Sequence, residues 1–540
     1  MKMEDKGLKT KSRTGEAFAL LLMAVLCFSF ISKEAVDPDP SKTTEIKMLQ
    51  ADSLSFDKDF NPDVNIARGN VIFLHDSTYM YCDSAYLYKM SNTLEAFDNV
   101  KIQQGDSLFI YGDYLIYEGN IHLAKMRNNV KMEHGYNTLF TDSFNYDRTA
   151  NIAYYFDGGM LVDSLNELTS IYGQYLPDIK QARFQKDVKL INNTMTLYSD
   201  TLVYWTETKI AHILGPSIIE SDSGYIHSSA GWYNTETNDS RLYERSTVFS
   251  KDGNKMLTAD TLFYNSKTGF GEAFHNMFLQ DTVQKVILTG HYGWYDDLKG
   301  SAMATDSAQC VEYSQGDSLF LHADTLRMVM LEENEREMKA YHGTRFYKSN
   351  LQGVCDSLQF NTKESILCMF TDPVLWNAGY QLSGDTIHIY MNDSNIDHIH
   401  VFEHPFAIEK IDTANHYNQL KGNDLKAYFE AGELHNIEVD GNAETIYYPL
   451  EKDSTFVGMN RTESGFFSMW LVDRKLDRMK IWSQPKGNTI PLPELTLETQ
   501  FLENFKILEY LRPAQKEDIF LQVKRKEEDE APQRNSKFVY

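Results

Sequence analysis

Polar and apolar residues alternate with a period of two along most of the chain from residue 45 onward. Short runs such as Leu54 with Phe56, or Leu202 with Tyr204, place an apolar side chain at every second position. This spacing is typical of β-strands that bury one face, whereas helical spacing is absent before residue 495. The pattern therefore predicts an all-β protein with a single short helix near its C-terminal end.

A six-residue motif recurs along these strands. It consists of a small residue, Asp, a hydroxyl residue, an apolar residue, any residue, and an aromatic or large apolar residue. The first Asp positions are 52, 83, 113 and 142, so the spacing is 31, 30 and 29 residues. The middle spacings are about twice as long, with weaker copies between them, which indicates a stacked repeat of about a dozen units. Clear copies are Ala51–Phe56, Gly112–Tyr117, Thr141–Tyr146, Ser199–Tyr204, Ala259–Tyr264 and Cys355–Phe360, with shorter ones at Ala323–Leu326 and Gly384–Ile387.

A second element follows each Asp by roughly half a repeat, as in Gly69-Asn70, Asp98-Asn99 and Asn128-Asn129. Gly and Asn tolerate positive φ, so these pairs predict turns that open the next strand. Each unit is then a strand, a turn, a second strand and another turn. A single active site does not need so many equivalent acids, so we interpret each motif Asp as a turn cap.

The apolar residues two and four positions after each Asp lie on the same face of an ideal strand. We expect this face to point inward and the Asp to lie at its rim. The predicted apolar lining consists of Leu54, Phe56, Leu115, Tyr117, Phe144, Tyr146, Leu202, Tyr204, Leu262, Tyr264, Leu326, Leu358, Phe360 and Ile387.

Charge and motif content narrow the functional classes. The net charge of −25 leaves no basic excess to neutralise phosphates, which argues against nucleic-acid binding and against docking on anionic membranes. The chain lacks Gly-x-Ser-x-Gly and His-Glu-x-x-His motifs, so we predict no catalytic residues and no cofactor. His398 and His400 share a strand face and form a weak metal-ligand candidate, although two surface histidines beside a turn explain them more simply.

The termini predict export and a separate C-terminal segment. An apolar run at Ala17–Ile31 follows a basic N-terminus and suits a signal peptide or N-terminal anchor. Four cysteines remain after it, too few for a disulfide scaffold, and the state of Cys355 and Cys368 stays open. We predict a signal or anchor (1–32), a linker (33–44), the β repeat domain (45–445), a terminal β cap (446–483), a second linker (484–494), an amphipathic helix that covers an edge or binds a partner (495–512) and a charged tail (513–540).

The alternation of Gly69-Asn70-Val71 turns with Gly112-Asp113 strand starts resembles the OstA/LptA organic-solvent-tolerance family of periplasmic lipopolysaccharide carriers. The resemblance covers roughly residues 45–445 and implies an elongated, V-shaped jelly roll or solenoid of stacked antiparallel strands. It also implies a groove that holds lipid A acyl chains, and strand-edge pairing with other lipopolysaccharide-transport proteins, among which the outer-membrane assembly protein is a candidate. The expected place of action is the periplasm. At about 400 residues, the repeat region exceeds the usual size of a family subunit.

Two other functional classes fit a β repeat. An exported solenoid at the cell surface would bind glycans or protein partners through outward aromatic residues. A parallel β-helix carbohydrate-active enzyme would need a cluster of acids or bases on one face, and the sequence offers no such cluster. The resemblance therefore favours a non-enzymatic lipopolysaccharide carrier.

Overall fold

The computed structural model describes residues 44–526 except 57–61, 297, 315, 333–334, 378, 393–394, 413–415, 450–455 and 474. These residues form β-strands almost throughout, and neighbouring strands run antiparallel. The chain divides into two compact units. Unit 1 comprises Met1–Gly135 with Phe140–Ala153, and unit 2 comprises Tyr136–Leu139 with Tyr154–Tyr540. The prediction of an antiparallel all-β fold is confirmed.

The first nine strands are β1 (Lys47–Gln50), β2 (Ser53–Phe56), β3 (Val64–His75), β4 (Thr78–Tyr88), β5 (Thr93–Gln104), β6 (Leu108–Glu118), β7 (Leu123–His134), β8 (Asn137–Asp147) and β9 (Ile152–Tyr155). The next strands, in unit 2, are β10 (Gly159–Val162), β11 (Glu167–Ser170), β12 (Tyr172–Leu176), β13 (Gln181–Ile191), β14 (Met195–Trp205), β15 (Ile210–Ile213), β16 (Ser217–Ser221), β17 (Gly224–Ser228), β18 (Ala230–Asn234), β19 (Asp239–Tyr243), β20 (Thr247–Ser250), β21 (Lys255–Thr258), β22 (Thr261–Asn265) and β23 (Phe270–Asp281).

Unit 2 continues with β24 (Val286–Asp296), β25 (Ser301–Glu312), β26 (Leu319–Glu332), β27 (Glu335–Lys348), β28 (Leu351–Asn361), β29 (Ile366–Phe370), β30 (Val374–Asn377), β31 (Tyr380–Ser383), β32 (Thr386–Asn392), β33 (Asn395–Phe402), β34 (Phe406–Lys410), β35 (Tyr417–Lys421), β36 (Asp424–Glu430), β37 (Glu433–Tyr447), β38 (Met459–Val472), β39 (Lys475–Trp482) and β40 (Lys486–Ile490). One short helix, α1 (Leu497–Gln500), follows them, and 3₁₀ turns lie at Pro177–Ile179, Leu492–Glu494, Glu509–Leu511 and Lys516–Phe520.

Alternate long strands, among them β3, β5, β7 and β13, carry a β-bulge near their middle. In β5, Asp98 and Asn99 both adopt positive φ, and the pairing register with β6 shifts between Phe97 and Val100. A bulge adds an unpaired residue and bends the strand. Asp98 and Asn99 therefore both face solvent, between Ala96 and Val100, which are buried.

The bulge also corrects the predicted position of the motif Asp, which does not share a face with the Leu and Tyr that follow it. Asp113 is exposed, whereas Gly112 before it and Leu115 after it both point inward and are buried. The two sequence elements meet here, because the second turn residue donates its side-chain N–H to the Asp of the neighbouring strand. These Nδ2–Oδ2 distances are 2.7 Å for Asn99–Asp83, 2.6 Å for Asn129–Asp113 and 2.7 Å for Asn276–Asp260.

Two substitutions of Asn129 separate the hydrogen bond from the backbone conformation at a corner. Asn129→Gly keeps the positive φ of 52° accessible but removes the amide donor, so we expect a loss of about 0.5–1.5 kcal/mol in unfolding free energy. Asn129→Ala should lose about 1–2 kcal/mol more, because a Cβ is strained at this φ. Urea unfolding of both variants measures separately the contribution of the hydrogen bond and that of the backbone conformation. Equal losses for Gly and Ala would contradict the assigned role of the backbone conformation.

The C-terminal strap, defined as residues 491–526, crosses the outer face of unit 2. Leu502 packs into a buried cluster with Phe406, Ile408 and Met459. Further along, Leu508 and Leu511 pack against the outward side chains Val354, Val374 and Trp376. The strap thereby covers apolar positions on a sheet face that would otherwise contact water.

Two glutamines at the same position of the repeat hold the strap through paired hydrogen bonds. Gln419 Oε1 accepts from Leu502 N at 2.9 Å, and its Nε2 donates to Gln500 O at 2.8 Å. Gln381 repeats this arrangement with Leu508 N at 2.8 Å and Lys506 O at 2.9 Å. Both glutamines are buried on the outer face, four residues before the motif position.

The predicted helix over 495–512 is largely wrong, because only one α-helical turn, Leu497–Gln500, is present. The strap sequence contains two related hexapeptides, Gln500–Phe505 and Lys506–Leu511, one for each glutamine. Apolar residues therefore recur every three positions and imitate helical spacing. The Leu502 and Leu508 amides bond to glutamine side chains instead of to a helical carbonyl, which stops the helix from continuing.

No helix within the described part of the chain is long and apolar enough to cross a membrane. Three predicted segments lie wholly or partly outside the described residues. They are the signal or anchor at residues 1–32, the linker at 33–44 except for residue 44, and the charged tail from residue 527 onward.

Candidate functional site

The predicted lining of unit 1 forms a tightly packed interior. Leu115, Tyr117, Phe144 and Tyr146 are at most 1% exposed. Side chains that touch on all sides leave no room for a ligand. This part of the interior is therefore filled by the protein itself.

The buried tyrosines of these motifs carry polar anchors. The Tyr117 hydroxyl lies 2.7 Å from His75 Nδ1 and accepts from Arg148 at 2.5 Å. Burial lowers the pKa of His75 and raises the pKa of Tyr117, so both groups are neutral near pH 7. Because a buried hydroxyl needs a partner, each anchor fixes its ring in one place. The lining tyrosines are therefore apolar along their rings and hydrogen-bonded at their hydroxyl groups.

In unit 2, the hydroxyl group of Tyr204 in the motif Ser199–Tyr204 is held by polar partners in the same way. Tyr204 donates its hydroxyl to Asp163 Oδ2 at 2.6 Å and accepts from Asn166 at 2.8 Å. Lys209 completes the group with an ion pair to Asp163 at 2.9 Å. The interior around Leu202 and Tyr204 is consequently closed, and both residues are fully buried.

Further along unit 2 the interior is only partly filled. Two rows of inward residues run across successive paired strands on either side of the corners. The tyrosine row contains Tyr264, Gly271, Tyr295, Ala302, Met328, Met338, Phe360 and Leu367. The leucine row contains Leu257, Leu279, Leu288, Cys310, Leu321, Phe346, Gly353 and Leu375.

Most large side chains of these rows are half-buried, in contrast to their equivalents in unit 1. Tyr264, Tyr295 and Met328 of the tyrosine row and Leu279 and Leu288 of the leucine row all keep solvent contact. Members of both rows line one small apolar cavity, so the rows face each other across a single interior. We name this stretch, between Leu257 and Leu367, the half-open interior.

Small residues explain why this stretch is not filled. The tyrosine row alternates large and small side chains at its start, with Gly271 between Tyr264 and Tyr295. The adjoining inner position of the next strand is Gly293, where a Cβ would lie 2.3 Å from Met277 Sδ. Met277 therefore occupies the space at Gly293, whereas Gly271 and Ala302 leave Tyr295 without a large neighbour on either side in its row. The resulting surface can bury alkyl chains and offers few polar partners.

The predicted lining residues fall into three groups. Leu54 and Phe56 lie on strand β2, which pairs with β3, and are 54% and 56% exposed. Tyr264 and Phe360 belong to the half-open interior. The others are buried in packed parts of the inner face, namely Leu115, Tyr117, Phe144, Tyr146, Leu202, Tyr204, Leu262, Leu326, Leu358 and Ile387.

Sequence reasoning missed the leucine row. Its members precede the motif Asp by three residues, as Leu257 precedes Asp260, or lie opposite such a residue on the next strand. The bulge restores the inward orientation on both sides of the Asp, so the inner face extends before the motif as well as after it. The alternation of Leu257 with Ala259 was the available signal.

His398 and His400 do not converge on a common site. His398 Nδ1 lies 2.7 Å from Asp397 and its ring stacks on Tyr390, whereas His400 Nε2 lies 2.6 Å from Asp424. Among the described residues, groups with metal-ligand spacing occur elsewhere, at His75, Asp76 and His122 and at Asp385, Glu403 and His404. The four described cysteines, Cys82, Cys310, Cys355 and Cys368, are free thiols.

Comparison with known families bears on the N-terminal part of this architecture. Residues 43–200 match the family model described as OstA-like protein. The resemblance to the OstA/LptA-like family predicted from the repeat is thereby confirmed for that part of the chain. No curated protein matches the chain.

Solved structures also match, among them LptH, the LptA-homologous periplasmic component of the lipopolysaccharide transport device from Pseudomonas aeruginosa. The alignment covers 31% of this chain and 80% of that chain at 12% identity, with a TM-score of 0.09. A superposition at that score adds nothing to the fold described above.

Proposed function

We propose that this protein is a non-enzymatic periplasmic carrier or bridge for lipopolysaccharide on its way to the outer membrane. The half-open interior would hold the acyl chains of lipid A. The observation that carries this proposal is the pair of half-buried apolar rows in a chain whose residues 43–200 match the OstA-like family model.

The energetics favour acyl chains over polar ligands. Each methylene that leaves water for the apolar walls contributes about 0.8 kcal/mol, so several chains gain a large driving force. The rows offer mainly Leu, Met, Phe and Tyr side chains, and their partial exposure means that little packing must be disrupted on entry. The binding mode is passive, and directional transport would depend on partners.

Terminal strands supply surfaces for such partners. In unit 1, β1 and β2 pair with β3 and carry the exposed side chains Leu49, Leu54 and Phe56. In unit 2, β39 and β40 pair with β38. An edge strand presents free backbone groups that can add a strand from another chain. Other lipopolysaccharide-transport proteins, including an outer-membrane assembly protein, are the proposed partners.

Photo-crosslinking in cells tests the proposal at two neighbouring residues of β24. Leu288 lies in the leucine row, whereas Ile287 points to the opposite face of the same strand. A crosslinker at 288 should capture lipopolysaccharide and one at 287 should not. Capture at both positions, or at neither 288 nor Tyr264, would contradict an acyl-chain site in the interior.

Localisation separates this function from the alternative of a surface solenoid that binds glycans or protein partners. Protease added to intact cells should leave a periplasmic protein uncut and should degrade a surface-exposed one. Fractionation of the same cells serves as the control for cell integrity.

A further inference from the structure

A cleft with a volume of about 820 Å³ lies on the outer face of unit 2. It is separate from the half-open interior, which belongs to the inner face. Ligand pockets typically measure about 300–1,000 Å³, so its size suits a small ligand or a segment of a larger one.

The floor of the cleft is a row of side chains that crosses six strands from β11 to β20. The pairing registers place Thr169, Lys189, Tyr198, Ile218, His227 and Thr247 side by side in this order. Tyr198 is 40% exposed, and Lys189 Nζ lies 5.6 Å from the centre of its ring. A stacked pair, Tyr225 and Phe249, continues the aromatic surface beside His227.

Serine side chains line the corners beside this row. In unit 1 the inward residue after the corner is a valine, as at Val71 and Val100. Here that residue is still Val188 at the first corner, but it is Ser217 and Ser246 at the next two, and each bonds to the serine of a neighbouring strand, Ser217 to Ser199 at 2.7 Å and Ser246 to Ser228 at 2.8 Å. These corners are therefore built from hydroxyl-bearing side chains in place of branched apolar ones.

Charged groups of both signs line the wall of the cleft. Asp187, Asp200 and Glu244 provide carboxylates, while Lys189 and Arg245 provide cations. Asp187 replaces the Asn that locks other corners, so the Asp–Asn bond is missing beside Asp200. Interleaved donors and acceptors suit a ligand with many hydroxyl groups, whereas a phosphate would meet repulsion from the carboxylates.

We infer that this outer cleft is a saccharide-binding site, in which a sugar ring stacks on Tyr198 and its hydroxyls bond to the carboxylates and Lys189. The ligand class is an oligosaccharide without phosphate groups. Two sources supply that chemistry in an exported protein's surroundings, namely the sugars of the transported glycolipid and the glycan strands of the cell wall. The glycolipid source rests on the proposed function, whereas the cleft itself lies on the opposite face of the sheet from the acyl-chain rows.

Titration of the full chain with two probes tests the inference and separates the sources. One probe is dephosphorylated core oligosaccharide released from lipopolysaccharide without its lipid, and the other is a soluble peptidoglycan glycan fragment. Binding of one probe identifies its source, and binding of neither overturns the inference. Failure here leaves the crosslinking result at Leu288 unaffected, so the two proposals fail separately.

Three tyrosine variants assign the binding to the cleft. Tyr198→Ala should weaken binding about tenfold, because it removes an aromatic contact worth roughly 1.4 kcal/mol. Tyr198→Phe should bind within about twofold of the wild type, since the stacking ring remains. Tyr243→Ala removes another exposed outer-face tyrosine that does not line the cleft, and it should leave binding unchanged. Equal loss in Tyr198→Ala and Tyr243→Ala, or no loss in Tyr198→Ala, would overturn the inference.

Discussion

Removal of the C-terminal strap by deletion of residues 495–540 is expected to destabilise unit 2 by about 6–12 kcal/mol, taking 1.5–3 kcal/mol for each of four buried aliphatic side chains. Those side chains are Leu502, Leu508, Leu511 and Ile519. The deletion also exposes Trp376 and its apolar neighbours on the outer face. We therefore expect aggregation on purification and a much lower urea midpoint for any soluble fraction.

A point substitution isolates the glutamine contacts. Gln381→Leu removes the partners of Leu508 N and Lys506 O and leaves two backbone groups without hydrogen bonds, which should cost about 2–6 kcal/mol. Gln280→Leu is the matched control, because Gln280 lies on β23 between Met256 and Ile287, three strands away from β26, which contacts the strap. The same urea midpoint for both leucine variants would show that the strap does not depend on this contact.

A carboxylate inside the half-open interior is expected to abolish lipid binding. Leu288→Asp places a charge between Leu279 and Cys310 in the leucine row. An acyl chain that covers this carboxylate must strip it of water, which should weaken binding about 100-fold or more. Binding of a fluorescent lipid A to the purified full chain measures the effect.

Ile287→Asp provides the control for this variant. It introduces the same charge one residue away, on the outward face of the same strand. Unfolding midpoints of both variants distinguish loss of binding from loss of folding. Lipid binding by Leu288→Asp at the wild-type level would exclude the leucine row from the acyl path.

The recurrence of the sequence motifs located the corners, but the predicted turns between strands are bulges within continuous strands such as β5 and β7. Asp113 and Asn129 were each recognised as turn residues, but their partnership was not, because they lie on different strands. The motif Asp was also assigned to the wrong face of its strand. An ideal strand keeps Asp113 and Leu115 on one side, and only the bulge places Asp113 outside and Leu115 inside.

The strap shows why spacing alone misleads. Leu502, Phe505, Leu508 and Leu511 recur every three residues, which satisfies a helical pattern. The choice between helix and strap depended on Gln419 and Gln381, which lie about 80 to 130 residues earlier in the chain. No local pattern contains that information.

The sequence by itself determined the antiparallel β repeat, the corner residues and the inward position of most motif apolar side chains. These features follow from local backbone preferences and from alternation, which each repeat unit carries. The tertiary structure alone decided where the interior is filled and where it is half-open. Filling depends on which side chains become neighbours along each row, as Tyr295 lies between Gly271 and Ala302, and strand register sets those neighbours.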